Sequence, residues 1–344
     1  MNSDGLIEVV PANSPRFDFD PVTGESLGLL IEESRTNLFK NSSVPCNDGR
    51  AVTDVVNGID LYTITANAFS AAYNSATSPG NSGFMPVQQG LEYVVSFYAK
   101  KVDANTVTCR LVNSTGGLLT GTGNAAPTFD GGRVSVKLTC TVSGSAQLFL
   151  GMSPGLSVEF GGLQLEAGSF PTSYIPTTTS TVTRTADNAS MVGDNFSSWY
   201  NQSEGTVRIL AKTNRVYSGS NAFPYSMQID DGTGSNRIAV DNAVLSSTIR
   251  QQLSVWENGS AVGDNLGNLQ NVNGLSCAFA YKINDLAFVN GAGTLFTDDN
   301  APIPTTMNRL QIGSGSGGIL TGHISQLTYY PSRLSNNQLQ TLTK

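Results

Sequence analysis

The chain has 344 residues, a formal net charge of −7 and only 13% charged residues. A negative chain without a cluster of Lys and Arg repels a phosphate backbone, so nucleic acid is excluded as an expected partner. The sequence shows neither an apolar run of 18 residues nor a signal peptide, so we expect no membrane insertion and no leader-directed secretion.

Residues 1–40 have the pattern of an extended N-terminal arm. Apolar strands are predicted at Leu6–Val10 and Leu27–Ile31, and the prolines Pro15 and Pro21 between them favour turns over a helix. An arm of this kind packs on a neighbouring domain or subunit. The alternative is an ordinary strand pair belonging to the first domain.

Residues 41–168 show short segments that alternate between apolar and polar residues, separated by Gly, Asn and Pro. This pattern predicts an antiparallel β-sandwich of the jelly-roll type that closes on Val158–Leu165, with Leu163 and Leu165 pointing inward. The other strands are predicted at 61–65, 91–99, 106–112, 134–142 and 147–152.

Residues 169–186 are rich in Pro and Thr. Phe170, Tyr174 and Ile175 make this segment too apolar for a free tether. We therefore predict an ordered bridge that is pinned against the surface of a domain.

Residues 187–344 repeat the β pattern with a different sequence, which predicts a second sandwich following the first. Ser335 and Gln338 have the spacing of a capping box at the start of a short C-terminal helix. The predicted strands cover 205–212, 224–229, 237–240, 249–255, 276–283, 286–289 and 320–330. The predicted fold class is all-β: two consecutive antiparallel sandwiches with an extended N-terminal arm and a short C-terminal helix.

The cysteines are widely and irregularly spaced, with no Cys-x-x-Cys pair and only one histidine to accompany them, which argues against a zinc site. We expect reduced, partly buried thiols, with a Cys109–Cys140 bridge between neighbouring strands as the alternative. The four residues are Cys46, Cys109, Cys140 and Cys277.

Catalytic residues are not predicted. The single histidine, His323, lies in a predicted strand, and no Gly-x-Ser-x-Gly turn presents a nucleophile. Glu159 and Glu166 are an odd number of residues apart, which predicts opposite faces of a strand rather than a glycosidase pair. The pairs Asp230-Asp231 and Asp298-Asp299 lie beside Gly or Asn and are interpreted as turns.

Two kinds of binding site remain open. No organic cofactor is expected, but a structural calcium ion could take loop carboxylates, although their spacing fixes no cage. The Gly-rich run that begins at Gly313 is predicted to be a flexible hairpin loop. The carboxylate candidates are Asp130, Asp187, Asp230 and Asp231.

Sugar binding would require an exposed aromatic platform with polar partners. Most of the aromatic residues are expected in the core, and Trp199 beside Phe196 is predicted to staple the linker onto the second sandwich. No sugar-binding residue is predicted individually. The aromatic residues considered are Tyr62, Tyr73, Tyr93, Trp199, Tyr200 and Trp256.

Three stretches resemble bacteriophage virion-surface proteins, namely tail-fibre and receptor-binding proteins. They are PRFDFDPVTGE (15–25) with GLLIEESRTNL (28–38), GLQLEAGSFPTSYIPT (162–177) with TRTAD (183–187), and FSSWYNQSEGTV (196–207). The resemblance implies a first sandwich similar to carbohydrate-binding modules. It implies a second that is similar to concanavalin A/laminin G-type domains, whose closing strands match VNG (289–291), LQIG (310–313) and GHISQLTYY (322–330).

The same resemblance implies a non-enzymatic phage protein, a tail fibre, spike or head fibre, that acts as an adhesin for host-surface carbohydrate. The expected partners are host polysaccharide, other virion proteins and further copies of the chain, with a trimer favoured. The expected location is the virion surface, after assembly in the host cytoplasm. The alternatives are a purely structural virion subunit (head decoration, collar or tail tip) and a glycan depolymerase.

Overall fold

A computed structural model describes most of the chain, and no helix among those residues is long and apolar enough to cross a membrane. The described residues are 1–43, 51–66, 71–74, 84–104, 106–213, 224–245, 248–262, 266–269, 275–291, 293–316 and 318–343. The side chains of 71–74, 243–245, 248–250, 268–269 and 275 are not described.

The described residues form short strands with two short helices. In chain order they are β1 (Phe17–Phe19), β2 (Ser26–Ile31), β3 (Arg35–Asn37), β4 (Asp54–Val56), β5 (Ile59–Thr65), β6 (Ala71–Asn74), β7 (Met85–Val87), β8 (Glu92–Lys101), β9 (Val107–Val112), β10 (Gly123–Ala125), β11 (Gly132–Thr139), β12 (Gly144–Gly151), β13 (Ser157–Ala167), β14 (Val182–Arg184), β15 (Ala189–Val192), α1 (Asp194–Ser197), β16 (Glu204–Thr213), β17 (Tyr225–Asp230), β18 (Arg237–Leu245), β19 (Thr248–Glu257), β20 (Ser260–Ala261), β21 (Leu266–Leu269), β22 (Leu275–Lys282), β23 (Leu286–Asn290), β24 (Leu295–Asp298), β25 (Arg309–Ile312), β26 (Gly322–Tyr330) and α2 (Asn336–Leu342).

The all-β fold class is confirmed, as is the C-terminal helix. The Ser335 hydroxyl accepts from the backbone N–H of Gln338, and the Gln338 side chain reaches back to the Ser335 N–H, which completes the predicted capping box. The strand predicted at Leu6–Val10 is wrong, because that segment is irregular and the first strand is β1.

The chain divides into two compact units at boundaries that differ from those expected. One unit, the inserted sandwich, is Ser34–Thr185. The other, the terminal sandwich, combines Met1–Glu33 with Ala186–Lys344. The arm is not separate, because β2 pairs with β26 through Leu29 opposite Ile324 and so extends a sheet of the terminal sandwich. Alternation in β2 reveals a buried face, but it does not reveal which strand is the partner.

The inserted sandwich has two sheets around one core. Their strand orders are β10-β9-β12-β6, with β7 also on β12, and β11-β8-β13-β5-β4. A short ribbon pairs the entering strand β3 with the leaving strand β14. As predicted, Leu163 and Leu165 are buried in this core.

Cys109 and Cys140 are buried free thiols, so the alternative of a bridge between them is wrong. β9 and β11 lie in different sheets rather than side by side. Cys277 is also free, and Cys46 lies outside the described residues. Burial raises the pKa of the Cys109 thiol to about 12 and also raises that of Cys277, which keeps both thiols protonated and unreactive at neutral pH.

A β-bulge in β13 changes the faces to which its side chains point. Its register against β8 shifts between Gly161 and Gln164, where Gly162 adopts a φ of 57°. Glu159 therefore opposes Lys100 and Glu166 opposes Val94. Those partners are an even number of residues apart, so both glutamates share one face and the predicted opposite placement is wrong. Six residues of strand still separate them by roughly 20 Å, which is too far for a glycosidase pair.

The bridge segment packs on this outer face of the inserted sandwich. Gln164 donates to the carbonyl oxygen of Ser173 at 3.2 Å and accepts from the N–H of Ile175 at 2.7 Å. Ile175 is buried, and Tyr174 packs edge-on against Tyr98. The segment is therefore packed on the inserted sandwich, as its apolar residues predict. Buried hydrogen bonds to Gln164 add to this packing.

Replacing Glu166 by Ala is expected to lower the free energy of unfolding of the inserted sandwich by about 2–4 kcal/mol. The buried Glu166 carboxylate accepts from both the backbone N–H, at 3.0 Å, and the hydroxyl of the buried Thr172, and both donors would lose their partner. Urea denaturation of residues 34–185 measures the change. Glu159→Ala, on the same strand and face but half-buried, is the matched control and should cost about 0.5 kcal/mol or less; equal losses would contradict the account.

The terminal sandwich also has two sheets. One has the order β1-β2-β26-β16-β22-β23-β24, and the other has the order β15-β25-β17-β18-β19-β20, with β21 on β19. Phe279, Phe288 and Met227 are among the residues of its core. On the opposite face of β22 and β23, small apolar residues such as Ala278 and Ala287 contact Leu339 of α2.

Candidate functional site

The outer face of the sheet containing β17, β18 and β19 carries buried polar side chains; we call it the polar face. Alternation sends Ile229, Val240 and Leu253 into the core and the intervening residues outward. These outward side chains are nonetheless shielded from solvent. Their exposed fractions are 0% for Gln228, 0% for Asp230, 3% for Asp241 and 3% for Ser254.

A glycine-rich loop contributes to this shielding. The N–H of Ser316 donates to the Gln228 side-chain oxygen at 3.0 Å, and its hydroxyl donates to the same atom at 3.2 Å. A Cβ atom on Gly315 would lie 2.7 Å from the ring of Tyr225, so only glycine fits there. The described part of this loop, predicted to be a flexible hairpin connection, is bonded to the polar face.

Asp230 lies at one end of the polar face, and both of its carboxylate oxygens accept hydrogen bonds from protein donors. Its Oδ1 accepts from Arg309 Nε at 2.8 Å and from the Gly232 N–H at 2.7 Å, while its Oδ2 accepts from Gln228 at 2.6 Å. Asp231 forms the predicted turn by accepting from the N–H of Thr233 at 2.9 Å. Asp230 instead ends β17 and stabilises the sheet.

Asp241 lies on the same face with one oxygen unoccupied. Its Oδ2 accepts from the Ser254 hydroxyl at 2.8 Å, and its Oδ1 has no hydrogen-bond partner among the described residues. Burial raises the pKa of Asp241 to about 6, against the opposing effects of Ser254, Gln252 and Arg237. A buried acceptor without a donor is costly and therefore calls for a physical explanation.

Arg237 is the cation next to this carboxylate. Its guanidinium carbon lies 4.0 Å from the centroid of the Trp256 ring, and Nη1 donates to the Gly234 carbonyl oxygen. Its Nε has no hydrogen-bond partner among the described residues. The pKa of Tyr225, opposite Asp241 in the register, is raised by burial and by Asp241 and lowered by a hydrogen bond with Arg237. These two atoms, Asp241 Oδ1 and Arg237 Nε, are both closed to solvent, so the polar face offers to the outside the half-buried Trp256 ring and the guanidinium that stacks on it.

The other titratable residues singled out in the sequence are placed in structural roles. His323 lies in β26 and its Nε2 is 2.9 Å from Asp18 Oδ2. Burial would raise the pKa of Asp18, but hydrogen bonds from His323 and the N-terminal amine lower it to about 2. Asp298 accepts from the N–H of Asn300 in a turn, as predicted.

The calcium candidates do not form a group. Asp187 binds Arg16 and accepts from the N–H of Glu32, whereas Asp130 is exposed in the inserted sandwich. Among the residues described, no three or more His, Cys, Asp or Glu side chains are placed to hold a metal ion. Structural calcium stays a prediction.

Most of the aromatic residues belong to the cores. Tyr62 and Tyr93 are buried in the inserted sandwich. Phe196 is buried in the core of the terminal sandwich and contacts Trp199 edge-on, as the predicted staple requires. The Tyr73 side chain lies outside the described residues. Trp256 alone among the considered residues with described side chains lies on the polar face, and sequence reasoning missed its neighbours Tyr225, Arg237 and Asp241.

No protein-family model matches the chain, and no curated protein matches it in sequence. Among solved structures, the carbohydrate-binding module CBM40 of the Ruminococcus gnavus IT-sialidase, bound to α2,3-sialyllactose, is similar at 14% identity and a TM-score of 0.36, over 45% of this chain and 92% of that one. Toad ovary galectin in complex with thio-digalactose is similar at 10% identity and a TM-score of 0.28, over 42% of this chain and 98% of the galectin chain.

Domains LG4-5 of the mouse laminin α1 chain give 8% identity and a TM-score of 0.31, over 96% of both chains. Likenesses of this degree identify neither a family nor a ligand for this protein.

Proposed function

We propose that the protein is a non-enzymatic adhesin of a bacteriophage virion surface that binds host-surface carbohydrate through the polar face of its terminal sandwich. The resemblance of three sequence stretches to phage virion-surface proteins supports the virion location. The arrangement of side chains on the polar face supports the ligand class.

The observation that carries the proposal is the half-buried Trp256 ring on the polar face, with the guanidinium carbon of Arg237 4.0 Å from its centroid. A sugar offers hydroxyls that both donate and accept, and an apolar ring face that suits an aromatic surface. Trp256 provides that surface.

The carboxylates support binding without hydrolysis. Glycoside hydrolysis uses two carboxylates about 5–10 Å apart. On the described part of the polar face, both oxygens of Asp230 already accept from protein donors, which leaves Asp241 without a second carboxylate to act with it. The Glu159 and Glu166 pair of the inserted sandwich is too widely separated.

Oligomerisation would complete the proposed function. Individual sugar contacts are weak, and several copies on one particle raise the avidity without any new contact. A trimeric fibre would also cover exposed sheet edges.

The proposal is tested by binding of the purified full chain to host cells. We expect saturable binding that soluble host polysaccharide competes away, with no release of reducing ends. Absence of cell binding, combined with binding to purified virion proteins, would replace the adhesin with the structural-subunit alternative. Release of reducing ends from host capsule would instead establish a depolymerase.

A further inference from the structure

We propose that copies of this chain associate through one uncharged, apolar end of the inserted sandwich, which we call the neutral end. Three loops form it, residues 88–91, 113–122 and 140–143, which follow β7, β9 and β11. This inference rests on the oligomerisation in the proposed function and adds to it the surface through which the copies meet. The polar face belongs to the other unit, so the two can be tested separately.

Backbone hydrogen bonds hold the three loops of the neutral end together. The Leu91 carbonyl oxygen accepts from the N–H of Cys140 at 2.8 Å, which joins the first loop to the third. The Leu119 carbonyl oxygen accepts from the N–H of Thr141 at 2.9 Å, which joins the second loop to the third. The three loops therefore present one continuous surface.

Large aliphatic side chains are exposed on this surface. The exposed fractions are 44% for Leu91, 51% for Leu118 and 51% for Val142. The Asn113 side-chain oxygen accepts from the N–H of Gly117 at 2.8 Å, which fixes the turn that presents Leu118. Grouped apolar side chains are typical of an interaction surface, and a loop that is already fixed loses little conformational entropy when a partner binds.

The distribution of charge favours a second copy of the chain as that partner. The net charge of −7 makes two copies repel each other when they approach through acidic surface. The runs 61–91, 111–129 and 138–158, which include all three loops, contain no Asp, Glu, Lys, Arg or His. The loops also contain no aromatic residue, so the neutral end offers no ring on which a sugar could stack.

Symmetry makes the absence of charge decisive. Copies related by an axis through a surface bring each residue near that axis against its own equivalent. A charged residue would meet a like charge there, whereas Leu118 and Val142 would each meet an apolar side chain. The charged residues that flank the first and third loops, Glu92 and Lys137, neutralise each other at 2.7 Å. The neutral end therefore meets the electrostatic condition for contact between copies.

Sedimentation equilibrium of the full chain at concentrations up to about 100 μM tests the proposal. We expect the wild-type chain to associate, and the double variant Leu118→Asp/Val142→Asp to associate at least about tenfold more weakly, because its new carboxylates face those of the other copy. Val55→Asp/Val192→Asp is the matched control. It adds the same charge at valines that are 54% and 53% exposed in β4 and β15, and it should associate like the wild type. Thermal unfolding confirms that each variant is folded.

Three results would overturn the inference. The first is a wild-type chain that is monomeric at about 100 μM. The second is association that stays unchanged in folded Leu118→Asp/Val142→Asp, and the third is an equal loss in the control variant. A monomeric wild-type chain that binds purified virion proteins, and loses this binding in Leu118→Asp/Val142→Asp, would assign the neutral end to a different partner.

Glycan binding separates this inference from the proposed function. Leu118→Asp/Val142→Asp should bind a soluble fragment of host polysaccharide as tightly as the wild type does, because the polar face is unchanged. Its attachment to host cells should fall at least about tenfold, because single copies lose avidity. A wild-type chain that associates through the neutral end but binds no host polysaccharide would overturn the proposed function and leave this inference standing.

Discussion

Deleting residues 1–33 is expected to prevent the terminal sandwich from folding, even though 187–344 looks like a complete domain in the sequence. Leu30 and Ile31 of β2 are buried in this unit, and burial of two such side chains stabilises a fold by about 3–6 kcal/mol. Deletion also removes Arg16 and Glu32 from around Asp187. The combined loss is comparable to the whole stability of a domain, about 5–15 kcal/mol.

Circular dichroism and thermal unfolding of residues 186–344 alone measure this effect. The matched control joins residues 1–33 to 186–344 through a short linker, which is feasible because the Asp187 N–H donates to the Glu32 carbonyl oxygen at 3.0 Å. The joined protein should unfold cooperatively. Cooperative unfolding of 186–344 alone, at the same midpoint, would show that the arm is dispensable.

Replacing Asp241 by Asn is expected to stabilise the protein at pH 7 by up to about 3 kcal/mol. The pKa of Asp241 rises from 3.8 to about 6 because burial disfavours the charged form, with Tyr225 and Arg237 as its titratable neighbours among the described residues. The folded state therefore holds this proton more tightly than the unfolded state. Asp241 lowers the stability as pH rises from about 4 to about 6, and the deficit persists above that window.

Urea denaturation of both proteins between pH 4 and pH 7 checks the sign. The stability advantage of Asp241→Asn should be largest at pH 7 and should shrink towards pH 4, where Asp241 is protonated in both states. Asp299→Asn should show no such pH-dependent gain. A variant that is less stable than the wild type at pH 7 would contradict the assignment of Asp241 as an unsatisfied buried carboxylate.

The positions of many strands can be predicted from the sequence because the alternation of apolar and polar residues is visible within each strand by itself. The strands β5, β8, β16 and β22 lie close to their predicted positions, and the capping box at Ser335 is found as expected. Pairing partners are not local. Nothing in β2 itself specifies β26, and the bulge at Gly161 reverses the face assignment of every residue beyond it.

The candidate site was hidden for a related reason. Arg237, Asp241 and Ser254 occupy the polar positions of alternating strands, which ordinarily face water. Only the structure shows that Asp241 and Ser254 are shielded there. Their alternation was visible, and a search of the polar positions of β18 and β19 would have found them.

The central claim is that glycan binding resides on the polar face of the terminal sandwich, and isothermal titration of the two separated units tests it most directly. A soluble fragment of the host polysaccharide that the intact chain binds is titrated into residues 1–33 joined to 186–344, and separately into residues 34–185. The account predicts that the joined terminal sandwich binds with the affinity of the intact chain and that residues 34–185 do not bind. Binding retained only by residues 34–185 would contradict it.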